Sequence, residues 1–210
     1  MNRILPFLTL PLCVALTGCN NDDSSNSEVS GVVAAGVVGG ATVTSFAIKN
    51  GQIADTPFAT AVTDAAGRYQ VQVPESPPFV VEARNGNYQD EATGANRSLA
   101  IPLRAAATVV ESPLNITPFS EAAVRYAVQR NALNEAGIEK ADRLATHYLL
   151  DVAPLTTAPL DPASPQVMAT ATGPEKILAV ALGTLSQELA ARDGATLEAV
   201  VTQITEGLTT

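Results

Sequence analysis

Thr63-Asp64-Ala65-Ala66-Gly67-Arg68-Tyr69-Gln70-Val71-Gln72-Val73-Pro74 assigns the first half of this chain to extended structure. Tyr69, Val71 and Val73 fall on one side of an extended backbone and Gln70 and Gln72 on the other, the period of two that a half-buried strand requires. Pro74 has no N–H to give a ladder and ends the strand. Ahead of it, the Asp64 side chain is placed to bond its own turn and Gly67 is free to take positive φ, so a corner precedes the strand.

On either side, short runs rich in Val, Thr, Ala and Gly recur between turn signals from Val29 to about Val110, with no helical period. Further strands are predicted at Val29 to Ala35, Ala41 to Ile48, Pro57 to Val62, Phe79 to Arg84 and Leu99 to Ala105, with Phe79, Val81 and Ala83 pointing inward. Asn50-Gly51 and Asn85-Gly86 mark tight turns, and Lys49 reads as a solvated residue before the first of them. Gly39-Gly40 lacks the following Lys and helix of a phosphate loop and reads as another hairpin turn.

The second half changes period. Thr117-Pro118 is a helix start, because a threonine oxygen caps an orphan N–H and proline at the first helical position forfeits no hydrogen bond. That helix is predicted to about Asn134, with Gly137 interrupting before a second over Ile138 to Leu150. Ile138, Ala141, Leu144, Ala145 and Tyr148 share a face of it at three- and four-residue spacings. Pro154, Pro159, Pro162 and Pro165 make residues 151–165 an ordered loop. A third helix starts at Thr172-Gly173-Pro174-Glu175 and runs through Arg192 on a stripe of Ile177, Leu178, Ala181, Leu182, Leu185 and Leu189. Asp193-Gly194 stops it, and a fourth follows from Leu197 to Leu208. The stripes read as the core of a bundle. The expected fold is therefore α+β in two segregated parts, a β-sandwich over residues 29–112 and a small α-helical bundle over 113–210.

The run T-D-A-A-G-R-Y-Q-V at Thr63 to Val71, with S-G-V-V-A at Ser30 to Ala34, resembles the carboxypeptidase regulatory-like and collagen-adhesin B-type domains. The resemblance implies a prealbumin-like sandwich that serves as a stalk, a spacer or sometimes a carbohydrate-contacting unit, and its signature is one of folding rather than of a site. Some adhesin relatives carry an internal Lys-Asn cross-link, but the first strand here has no lysine. The segments Asn87 to Gly94, Ile101 to Ala106 and Asn115 to Ala123 resemble a join found in bacterial surface lipoproteins, where such a sandwich leads into a helical domain.

At the start of the chain, Met1-Asn2-Arg3 supplies one positive charge and Ile4 to Leu16 is almost wholly apolar, too short to span a bilayer and suited to a secretory leader over residues 1–18. Leu16-Thr17-Gly18-Cys19 resembles a bacterial lipobox, which implies cleavage before Cys19 and lipid on its sulfur. Two or more acyl chains anchor a protein stably to a membrane. The polar residues from Asn20 onward lack the apolar side chains that ordering needs, so 19–28 reads as lipidated cysteine and tether. By resemblance to Gram-negative lipoproteins, Asn20 in place of aspartate after the cysteine favours the outer membrane, on either its periplasmic or its surface face.

Composition narrows the chemistry. The chain has 21 Asp plus Glu against 12 Lys plus Arg and a formal charge of −9, with no basic stripe, so nucleic acid is not an expected partner. The two cysteines are Cys13, in the leader, and Cys19, which leaves no thiol for a disulfide or a nucleophile after processing. His147 is the one histidine, so a zinc site of nitrogen and sulfur ligands is not assembled, and its helical setting makes it a surface or boundary residue rather than the base of a triad. No metal or cofactor is expected, and a non-enzymatic structural or interaction module is. The alternative is a glycan or peptide binder using the loops near residues 85–96, where Asn85, Asn87, Tyr88, Asp90 and Glu91 are candidate ligand groups. Acidic residues between strands are more often simply solvated, and two adjacent carboxylates do not make a catalytic dyad. With no tryptophan and four tyrosines, an aromatic sugar platform on the helices is not expected.

Overall fold

A computed structural model describes residues 27–161 and 164–209; the leader and the lipobox residues Leu16, Thr17, Gly18 and Cys19 lie outside them. The architecture is mixed α+β, with the strands in the N-terminal part and the helices in the C-terminal part.

The opening stretch forms β5 (Arg68–Gln72), antiparallel to β1 (Glu28–Val32), with Tyr69 and Val71 buried and Gln70 and Gln72 exposed. The corner before it is closed by Asp64, whose Oδ1 accepts from the N–H groups of Ala66 and Arg68, both at 2.8 Å. Gly67 takes φ +71°, and a Cβ there would sit 2.7 Å from the Val33 carbonyl oxygen. The Tyr69 hydroxyl donates to the Leu114 carbonyl.

A second, larger sheet is built on β2 (Thr42–Lys49). It pairs antiparallel with β6 (Phe79–Arg84) on one side and, on the other, with β3 (Gln52–Ile53) and β4 (Ala59–Val62); β9 (Leu103–Ala107) closes the far edge on β6. Ser45 of β2 donates its hydroxyl to the Gln72 carbonyl at 2.6 Å, tying the sheet to the strand pair. The expected alternation of β6 is replaced by burial of every residue from Phe79 to Ala83. The reason is a helix on the second face: the register sets Glu82 opposite Arg104 and Val80 opposite Ala106, and Arg104 and Ala106 meet α1 (Pro118–Gln129). The last strand also starts later than predicted, at Leu103, because Pro102 has no N–H for the ladder. Between β6 and β9, β7 (Asn87–Gln89) and β8 (Asn96–Ser98) form a separate hairpin.

The predicted helix starts at Thr117, Thr172 and Leu197 hold, whereas the first helix ends at Gln129 rather than Asn134 and the second begins at Glu135 rather than Ile138. Thr117 and Ser120 form a reciprocal capping box at the head of α1, and Thr172 and Glu175 form another at the head of α4 (Gly173–Ala191). Gly137 does not interrupt a helix but lies in the first turn of α2 (Glu135–Tyr148), donating to the Asn134 cap at 3.0 Å. A Cβ on it would fall 2.0 Å from the Ala132 carbonyl oxygen, so a close chain approach rather than a break calls for glycine. After the proline-rich loop comes a short helix that the sequence does not predict, α3 (Pro165–Thr170), and α5 (Leu197–Gly207) is the last helix. Of the predicted α2 face, Ile138, Ala141 and Ala145 are buried, whereas Tyr148, at the helix end, is exposed.

The link between the halves pairs with β1 through backbone hydrogen bonds and an isolated bridge between Val33 and Ile116. Residues 114–116 run parallel to β1, with Leu114 N–H donating to Ser30 O at 2.8 Å and Ile116 N–H to Val32 O at 2.9 Å. Asn115 bridges outward, its Oδ1 accepting from Val32 N–H and its Nδ2 donating to Thr157 O. One continuous cluster of buried apolar residues extends from Val29 on β1 to Leu208 after α5.

Candidate functional site

The candidate loop opens at Asn85 (φ 61°) and Gly86 (φ 82°), two consecutive left-handed residues that make a tight turn from β6 into β7, which pairs with β8 and not with β6. A Cβ on Gly86 would meet the Ala41 backbone at 2.8 Å, so the turn is pressed against the larger sheet. From there β7 alternates: Asn87 and Gln89 are exposed, Tyr88 and Asp90 buried. The Asn87 backbone exchanges two hydrogen bonds with Gly39, 2.9 and 3.0 Å, which fixes the hairpin to the Gly39-Gly40 turn.

Asp90 is fully buried and spent on its own turn. Its Oδ1 accepts from the Thr93 hydroxyl at 2.8 Å and from the N–H groups of Thr93 and Ala92 at 2.9 and 3.2 Å. Arg97 of β8 brings Nε to 2.6 Å from Oδ2, an ion pair whose N–H is not aligned on the oxygen. Burial raises the Asp90 carboxyl, but the Thr93 hydrogen bonds and the Arg97 charge outweigh it and hold it below the usual range.

Glu91 has the opposite surroundings. Its N–H donates to the Ser186 hydroxyl of α4 at 3.3 Å, docking the loop on the helices, while its carboxyl oxygen Oε2 is buried with no hydrogen-bond partner among the described residues. Burial, then the charges of Asp161 and Asp90, push its pKa up to about 7. A cavity of about 240 Å³ opens beside it, lined by Val37, Gln89, Asp90, Glu91, Gly94 and Asp161.

The structure thus brings Asp90 and Glu91 to one cavity and leaves Asn85, Asn87 and Tyr88 out of its lining. Val37 and Asp161 were not legible as site residues, since they reach it from a distant turn and from the proline-rich loop, with no local motif. A Glu91 carboxyl poised between its two forms near neutral pH offers either a donor or an acceptor to a hydroxyl or amide of a ligand.

A second polar centre was also missed. Glu121 in the first turn of α1 is fully buried between Arg104, which donates to it at 2.7 and 2.9 Å, and Arg125, which donates at 2.7 Å. Arg125 continues to Glu198 of α5, so the chain of charges joins β9, α1 and α5. The readable signal was the acid at the head of a helix with arginine four residues on. His147, by contrast, stands on the surface, its Nδ1 3.5 Å from Asp151 Oδ1.

Among the described residues no group of three or more His, Cys, Asp or Glu is arranged to hold a metal ion, and no helix is long and apolar enough to cross a membrane. No protein-family model matches the chain, and no curated protein does. Among solved structures, a 9R-lipoxygenase from Cyanothece is a distant match at 11% identity and a TM-score of 0.29, covering 59% of this chain and 24% of that one. A likeness of that size carries no argument about fold or activity.

Proposed function

We propose that this protein is a lipid-anchored, non-enzymatic module of the bacterial envelope or cell surface, favoured at the outer membrane, with a prealbumin-like sandwich joined rigidly to a helical bundle. The address rests on Leu16-Thr17-Gly18-Cys19 and the polar run after it. The observation that carries the module reading is the use made of buried polar side chains: Asp90, Asn115, Thr117, Ser120 and Glu121 all bond to the fold itself. The sandwich reading is supported by the Ser45 bond between β2 and β5 and by the buried inner faces of both.

Intact mass of the membrane-fraction protein beside a Cys19→Ala variant tests the address: an acylated mass beginning at Cys19 supports it, and an unmodified chain overturns it. Protease added to whole cells then separates a surface protein, which is cut, from a periplasm-facing one, which is protected until the outer membrane is opened.

A second reading, a glycan- or peptide-binding lipoprotein, is favoured by the unpartnered Glu91 oxygen beside the cavity. Calorimetry and glycan arrays with the native chain and Glu91→Gln test it. Flat profiles for both would remove this reading and leave the first intact.

A further inference from the structure

Helix α2 ends in two consecutive left-handed residues, Leu150 at φ 56° and Asp151 at φ 65°. The position just past a helix is commonly glycine, because a Cβ is strained there. Here it is leucine, and the side chain is 77% exposed. Tyr148 on the last turn of α2 and Val180 on α4 are exposed beside it, at 46% and 60%. These three, of the eight large apolar side chains that the described residues expose, line a single groove of about 470 Å³. Ile177 and Leu185 of α4 and Ile204 of α5 complete its apolar wall.

The groove differs from the rest of the molecule in charge. The chain carries −9 overall, yet no aspartate or glutamate lines this groove, and its one charged lining residue is Lys176. No carboxylate pairs with Lys176 among the described residues, whereas the buried acids Glu82, Asp90 and Glu121 each have an arginine. The volume falls within the roughly 300–1,000 Å³ of small-molecule sites, which pair apolar walls with a few placed polar groups.

We propose that this groove binds a free long-chain carboxylic acid, its alkyl chain lying along Ile177, Val180, Leu185 and Ile204 and its carboxylate meeting Lys176. The occupant covers apolar surface that the fold otherwise holds in water. The site is separate from the Glu91 cavity and does not depend on the membrane anchor.

The test uses the full chain carrying Cys19→Ala, so that no acyl group of its own is attached, with a dansyl-labelled undecanoate as the fluorescent probe. The expected result is saturable enhancement that dodecanoate reverses and dodecyltrimethylammonium, below its micelle concentration, does not. Val180→Glu, at an exposed position, abolishes binding with an unchanged melting curve. Lys176→Gln weakens binding about fivefold, the weight of one solvent-exposed ion pair. The proposal is overturned by an absence of saturable binding, by equal displacement with the cationic amphiphile, or by binding that survives Val180→Glu. A dimer in sedimentation that Val180→Glu dissolves would also overturn it, the occupant then being a second copy.

Discussion

Glu121 and Glu91 are both carboxylates withdrawn from water, and they are handled in opposite ways. Glu121 lies between two guanidinium groups, Arg104 of β9 and Arg125 of its own helix, and Arg125 passes on to Glu198, so the carboxylate becomes a joint between β9, α1 and α5. Glu91 has Asp90 and Asp161 as its charged neighbours, and its burial is relieved by holding the proton up to about pH 7. Burial is the first cause of the Glu91 shift and the like charges of Asp161 and Asp90 add to it, whereas the arginines beside Glu121 supply its buried carboxylate with partners.

The largest effect is expected at the matched site. Glu121→Gln leaves Arg104 and Arg125 partly buried without their shared carboxylate, and urea unfolding should show a loss of about 3 kcal/mol. An unchanged midpoint would mean that the two arginines find water or Glu198 instead, and the contrast with Glu91 would collapse. Asp90→Ala comes next: it removes three hydrogen bonds and the partner of Arg97, for about 2 kcal/mol in thermal or urea melts.

Glu91 is expected to act through pH. Its folded pKa, about 7, stands above the ordinary 4.5, so the folded state binds more protons between those values. Its contribution is full below pH 4.5, falls as pH rises through the window and is gone above about 7. Because the side chain is only half-buried, the fall is discounted to about 1 kcal/mol. Glu91→Gln should flatten that part of the stability profile and leave the rest in place. A slope between pH 5 and 7 that persists in the variant would assign it to another group. The smallest effect is at His147, whose surface pairing with Asp151 is solvated: His147→Ala should change stability by less than about 0.5 kcal/mol.

Much of the fold was written locally. The corner at Asp64 to Gly67, the alternation from Tyr69 to Val73 and the caps at Thr117 and Thr172 each depend on neighbours within four residues, and each appears where the sequence places it. What was not legible depends on distant partners. Glu82 and Val80 look like outward positions of a strand until α1 packs on β9 beside them. Asp90 and Glu91 are adjacent in sequence with the same charge; the Thr93 hydrogen bonds that lower Asp90 are local, but the Arg97 charge that adds to them, and the burial and the Asp161 charge that raise Glu91, come from other parts of the chain. Gly137 reads as a breaker because its purpose, room for the Ala132 carbonyl, lies outside the helix period.

The segment at 114–116, paired with β1, bears on the order in which the chain reaches its native state. β1 lies between β5 and this segment, yet the side-chain hydrogen bonds on that second edge, from Ser30 N–H to Ser112 Oγ and from Val32 N–H to Asn115 Oδ1, span 82 and 83 residues of sequence. During synthesis from the N-terminus, β1 emerges early and waits with one edge open until Leu114 to Ile116 follow, next to α1 in sequence. Closing contacts of such long sequence separation is slow, and an open edge meanwhile invites pairing with another chain. Completion of the first sheet is thereby coupled to delivery of the helices, so the two halves mature as one unit rather than in succession.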